Sequence, residues 1–195
     1  MLKTAKSMTP IRKYPIPYKA ASAIADKVIA GIKPLCKRTA IAGSLRRYPA
    51  STVIRMGDID LVAEPYSDVG WSKIVGRCHL RGIPVVDGPK MVRFSIRQGR
   101  NDVQVEIWRA TDGKEELFPT PSNWGSILMA RTGSLRFNQS IAQRAKDVGY
   151  AWVLSKGIVK GKDEEVLAGH TEASIFKTLE MPFIKPKDRE EYYAD

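Results

Sequence analysis

Apolar residues recur at helical spacing near the start of the chain. Ala21, Ile24, Ala25, Val28 and Ile32 fall on one face of a helix, and Gly31 with Pro34 marks where it should stop. Pro10, Pro15 and Pro17 make the basic segment before it an extended lead-in, because proline fixes φ and restricts its predecessor. A short apolar strand, Thr39 to Ala42, runs directly into Gly43-Ser44. After a turn-rich stretch from Tyr48 to Gly57, Asp58-Ile59-Asp60-Leu61-Val62-Ala63 begins with polar and apolar positions alternating, which predicts a strand that Pro65 ends. Trp71, Ile74, Val75 and Cys78 predict a second helix on the sheet, and strands follow at Ile83–Val86, Met91–Arg97 and Val103–Arg109. The turn Gln98-Gly99-Arg100-Asn101-Asp102 joins the last two.

The last third turns helical. Ser134 is the N-cap expected ahead of Phe137, Ile141, Ala145 and Val148, with Gly149 as the stop. A hairpin from Ala151 to Val159, turning at Ser155-Lys156-Gly157, and a helix capped by Thr171 complete it. The pattern predicts an α/β (α+β) chain in two parts. Residues 1–118 hold strands and sheet-packing helices behind the basic lead-in, and residues 119–195 a smaller α+β lobe.

With 195 residues and 43% apolar content, the chain can bury one substantial core, or one core plus a small appended lobe, without disulfides to hold it. Cys36 and Cys78 are too few and too scattered for a disulfide framework or a zinc site, and are expected to be buried small apolar residues. The first residues lack the apolar segment of a secretory signal, and no stretch approaches bilayer-spanning length. A soluble, intracellular monomer with no membrane partner is the expectation. Charge narrows the partner: 32 Lys and Arg against 21 Asp and Glu leave +11, the footprint of a polyanion binder.

On a strand rising roughly 3.3 Å per residue, Asp58 and Asp60 share one face about 6–7 Å apart. Two such carboxylates repel unless a cation relieves them, so a divalent metal is the natural partner. Val103, Val105 and Ile107 share one face of the later strand and leave Gln104, Glu106 and Trp108 on the other. Glu106 can therefore join the aspartates if the strands are neighbours. The bland alternative is an exposed strand face, with Glu106 paired to one of the nearby arginines. Gly43-Ser44 followed by Leu45-Arg46-Arg47 shifts the balance, because backbone N–H groups, a hydroxyl and guanidinium donors converge as phosphate recognition requires. His79 and His170 lie outside these segments and are read as structural or surface residues. Trp108 is read as stacking on a base or simply packing.

Gly43-Ser44-Leu45-Arg46-Arg47, then Gly57-Asp58-Ile59-Asp60, then Glu106 between Val105 and Ile107, stand in the order and spacing of the nucleotidyltransferase superfamily core. That core alone also admits aminoglycoside nucleotidyltransferases and tRNA-end-adding enzymes. Thr132-Gly133-Ser134 followed by Phe137-Asn138, together with Arg144 to Tyr150 and Pro186-Lys187-Asp188-Arg189, makes the chain similar to the family X DNA polymerases, the group typified by DNA polymerase β. The similarity runs from about Pro15 to the end. It implies a nucleotidyltransferase palm, a mixed β-sheet flanked by helices, followed by a thumb-like nucleotide-binding lobe, in a minimal form without the N-terminal lyase and helix-hairpin-helix domains.

The resemblance further implies that Asp58, Asp60 and Glu106 are catalytic and hold two Mg²⁺ ions, with Mn²⁺ as a substitute. Gly43, Ser44, Arg47 and Gly57 would bind the dNTP triphosphate. Thr132 and Gly133 would line the sugar, Phe137 and Asn138 the base edge, and Lys90 and Arg131 the DNA. Glu106 stands where these polymerases usually carry Asp, Ala130-Arg131 where the best-known members carry two aromatics, and Ala142 where an arginine commonly meets the template. The activity implied is DNA-directed DNA synthesis on a primer-template or gapped DNA, in short-gap repair. Template-independent terminal addition and a catalytically inactive nucleic-acid-binding module are the two alternatives.

Overall fold

The computed structural model describes residues 14–99, 101–111 and 121–192. The earlier part of the lead-in with Pro10, Arg100 of the predicted turn, and the expected boundary between residues 118 and 119 lie outside the described residues. Pro15 and Pro17 do keep the chain extended: Ile16–Pro17 (β1) pairs antiparallel with Arg55–Met56 (β3). Helix α1, Tyr18–Ile32, buries the predicted face of Ala21, Ile24, Ala25, Val28 and Ile32. It passes Gly31 and closes in a 3₁₀ turn, Lys33–Leu35, that contains Pro34.

The remaining elements of the first part are β2 (Cys36–Ile41), α2 (Gly43–Arg47), β4 (Asp58–Pro65), α3 (Asp68–His79), β5 (Ile83–Asp87), β6 (Met91–Gln98) and β7 (Asn101–Arg109). They build a five-stranded sheet in the order β2-β4-β7-β6-β5. Only β4 and β7 run parallel, so the sheet is mixed. Because side chains alternate along a strand, Ile59, Leu61 and Ala63 of β4 and Val103, Val105 and Ile107 of β7 face α1 and α3. Trp71, Ile74 and Cys78 of α3 close that core, and Ser67 caps the helix by accepting from the Gly70 N–H at 3.1 Å.

The opposite face of the sheet is divided. Val62 and Trp108 pack against Trp124, Ile127 and Leu128 of α4, Trp124–Thr132, an element the apolar periodicity did not predict. The other half of that face carries Asp58, Asp60, Gln104 and Glu106. Beyond α4 come α5 (Leu135–Asp147), β8 (Ala151–Val153), β9 (Gly157–Lys160), β10 (Glu165–Ala168) and α6 (Glu172–Thr178). The three strands pair antiparallel in the order β10-β9-β8, extending the predicted hairpin by one strand. Ser134 and Thr171 cap α5 and α6 as predicted. Phe137, Ile141 and Ala145 meet Ile158, Ala168, Ile175 and Phe176 in a second core. Helix α4 joins the two cores: Gly125 lies so close to the Thr171 backbone that a Cβ there would overlap it.

The chain is therefore α+β, with six α-helices and three sheets among the described residues. No helix among them is long and apolar enough to cross a membrane. Both thiols are free and buried, and burial pushes Cys36 up to about 11 and Cys78 to about 12. Because the thiolate is the reactive form, neither cysteine should label with a thiol reagent at pH 7.5 until the protein is unfolded. Labelling of two thiols under denaturing conditions and none under native ones is the expected readout.

Candidate active site

The condition set by the sequence is met, because β4 and β7 are neighbours. Their register places Asp58 opposite Gln104 and Asp60 opposite Glu106, so all three carboxylates share one face of adjacent parallel strands. The end of β2 is tied alongside by the Ala42 N–H donating to the Asp60 carbonyl at 2.8 Å, which seats the start of α2 next to Asp60. Gly43 has φ +58, and a Cβ at that position would overlap the Asp60 carboxylate. Left-handed backbone costs a non-glycine residue about 1–2 kcal/mol. Gly43→Ala should lower stability by that amount and displace Asp60, a loss to be read from the urea unfolding midpoint.

Asp58 and Asp60 open into a cleft of about 390 Å³ that Gly43, Ser44, Arg47, Arg131, Thr132, Gly133 and Asn138 also line. Nine of the thirteen expected site residues are thereby brought to one place. The Arg47 Nε donates to Glu190 at 2.5 Å and its Nη1 to the Thr132 carbonyl. Gly133 has φ +67, and the Gly133–Ser134 peptide is cis. The Asn138 amide nitrogen donates to the Ala130 carbonyl at 2.8 Å, while its Oδ1 is buried with no hydrogen-bond partner among the described residues.

Four expectations land elsewhere. Phe137 is fully buried, packed against Phe176 and Tyr192 with the Arg189 guanidinium over its ring, so it contributes to the core of the lobe and offers no face to a base. Lys90 lines a separate cavity of about 510 Å³ with Trp108, Arg109 and Lys156. Gly57 precedes Asp58 and borders open space. Glu106 is buried, and its side chain is engaged: Oε1 accepts from Arg93 at 2.9 Å and Gln104 at 2.6 Å, and Oε2 from the Trp108 indole at 3.2 Å.

Arg131, expected on DNA, turns inward. Its guanidinium lies 3.3 Å over the Trp108 ring. Burial pulls it below the ordinary arginine value, while the charges of Asp60 and Glu106 oppose that shift and favour the cation. The carboxylate pair thus already faces one internal positive charge, which the sequence reading missed. Arg131 stood beside the right motif, but nothing in local spacing says which way a long side chain points.

Among the described residues no group of three or more His, Cys, Asp or Glu side chains is gathered as a ready metal cage. The donor set nevertheless fits a hard divalent cation, which prefers carboxylate oxygens. Asp58 and Asp60 stand on one face, the missing Cβ of Gly43 lets the Asp60 carboxylate lie against the backbone at the start of α2, and Glu106 would complete the set by giving up one of its hydrogen bonds.

No curated protein sequence matches the chain. Residues 127–190 match the family model described as the DNA polymerase beta thumb. That segment runs from within α4 to Glu190, so it covers the Thr132-Gly133 side of the cleft and the lobe behind it. The match supports a family X polymerase-like relationship and points to a DNA-binding, polymerase-like function.

Proposed function

We propose that this chain is a DNA-directed DNA polymerase that adds dNTPs to a primer 3′-hydroxyl, filling short gaps in DNA. The observation that carries the reading is Asp58 and Asp60 on β4, in register with Glu106 on parallel β7 and opening into a cleft whose far wall is the thumb-like Thr132-Gly133 junction. Phosphoryl transfer requires little covalent chemistry from the protein, so positioning and charge placement dominate. Asp58, Asp60 and Glu106 would hold Mg²⁺ or Mn²⁺, which would supply positive charge for in-line attack by the 3′-oxygen and for departure of pyrophosphate.

The chain's own groups do the rest. Arg47 and the Ser44 hydroxyl bind the triphosphate, and the Thr132-Gly133 backbone supports the sugar. The unpartnered Asn138 Oδ1 accepts from the base edge. Phe137 acts from the core by fixing the helix that carries Asn138. Lys90, on the rim of the neighbouring cavity, binds the primer backbone, and the excess of basic residues makes DNA affinity fall with salt.

Ala142 on α5 favours a second reading, template-independent addition, because a methyl group offers a template base no hydrogen bond. A labelled primer in a one-nucleotide-gapped duplex, supplied with each dNTP separately in Mg²⁺ or Mn²⁺, separates the two. Addition of the complementary nucleotide alone supports the polymerase. Extension of a lone single strand, with no dependence on the opposite base, supports terminal transfer. Absence of extension on both substrates with both metals sinks catalysis and leaves a binding module.

A further inference from the structure

The cleft's anion-binding arginine is already occupied by a carboxylate. Arg47 and Glu190 are partly buried, with side-chain exposures of 15% and 33%, and the Nε–Oε1 distance is 2.5 Å. Glu190 lines the same cleft as Ser44, Asp58 and Asp60, so its carboxylate sits where a bound phosphate oxygen would meet Arg47. We propose that Glu190 is a built-in competitor for the phosphate subsite, holding the Arg47 guanidinium until a polyphosphate displaces it and so setting how tightly the cleft binds its nucleotide. This rests on the reading that the cleft receives a polyphosphate.

Two features separate a competitor from a clamp that merely secures the C-terminal segment. The segment is anchored without Glu190, because the adjacent Arg189 is fully buried, donates to Glu172 at 2.9 Å and lies over the Phe137 and Phe176 rings. Arg47 is also oriented without Glu190, because its Nη1 donates to the Thr132 carbonyl on the opposite wall. Release of Glu190 frees the Nε edge of a guanidinium already aimed into the cleft. A carboxylate and a phosphate oxygen make the same kind of charge-assisted hydrogen bond to arginine, so the two compete directly, and an incoming anion is also repelled by the residual charge of Glu190.

The test is calorimetric binding of inorganic tripolyphosphate to the wild type, Glu190→Gln, Glu190→Ala and Arg47→Ala, each checked for an intact melting transition. Both Glu190 variants are expected to bind tripolyphosphate roughly three- to tenfold more tightly than wild type, and Arg47→Ala more weakly. If the Glu190 variants bind no more tightly while Arg47→Ala still weakens binding, the anion site stands and Glu190 is only a clamp, which overturns the proposal. If Arg47→Ala binds tripolyphosphate as tightly as wild type, the polyphosphate does not use this cleft, and the proposal falls together with the reading beneath it.

Discussion

Asp60→Asn should cut templated nucleotide addition by on the order of a hundred- to a thousandfold or more, measured as single-turnover extension in a gapped duplex at saturating dNTP. Asparagine keeps the size of the side chain and its fit beside Gly43 but removes the negative charge. Asp60 stands between the other two carboxylates: Glu106 lies opposite in the parallel ladder, Asp58 two residues away on the same face, and Arg131 close enough to feel its charge. Neutralising it leaves Arg131 facing fewer negative charges, so any cation brought in to serve the reaction meets repulsion where it should meet a ligand. Asp58→Asn should lose activity to a similar degree. Glu106→Gln should lower the rate of the chemical step more than the affinity for nucleotide, because Glu106 is buried in hydrogen bonds to Arg93, Gln104 and Trp108 and lies away from the phosphate-binding side. Retention of activity by Asp60→Asn within tenfold of wild type would move the reaction away from this site.

The elements that were legible in the sequence are those whose signals are local. The buried face of α1, the alternation at Asp58-Ile59-Asp60, and the caps at Ser134 and Thr171 all lie within a few residues of what they determine. Phe137 carries two conflicting signals. Its spacing with Ile141 and Ala145 placed it on the buried face of α5, whereas the motif resemblance placed it against a base, and the structure sides with the spacing. Helix α4 was missed because Trp124 through Met129 are buried on every side, which leaves no amphipathic period to detect. Strands β1 and β3 are two residues each and pair across a gap of almost forty positions, and β10 is only four residues long, so neither carries a pattern of its own. Within the site, the three carboxylates were legible because they lie on strands. Glu190 on Arg47, Arg131 over Trp108 and the ion pairs behind α2 were not, because each joins residues far apart in sequence and depends on how the two cores dock.

The ion network behind α2 carries the other large expectation. Glu172→Ala should destabilise the protein by about 3–5 kcal/mol, the range for removing one partner of a buried ion pair. Glu172 begins α6 and is 7% exposed. It accepts two hydrogen bonds from Arg46, at 2.8 and 2.6 Å, and one from the fully buried Arg189 at 2.9 Å. Alanine would leave two guanidinium groups close together with no carboxylate between them, and the Arg189 Nη2 already lacks a hydrogen-bond partner among the described residues. Burial pushes the Glu172 carboxyl up, but the hydrogen bond from Arg46 and the charges of Arg189 and Arg46 outweigh it and hold the group below its ordinary value. A carboxylate depressed by folding contributes stability in full above its unfolded value of roughly 4.3 and loses it as pH falls through the lower folded value. The gap between wild type and Glu172→Ala in urea midpoint should therefore be widest near pH 7 and shrink as the pH falls below about 4. A gap that stays constant down to acid pH would show that the loss comes from packing and not from charge. Because Arg46 also donates to the Thr132 hydroxyl at 2.7 Å and adjoins Arg47, the same substitution loosens α2 against the Thr132-Gly133 wall. Nucleotide affinity should weaken with stability in Glu172→Ala, even though Glu172 never lines the cleft.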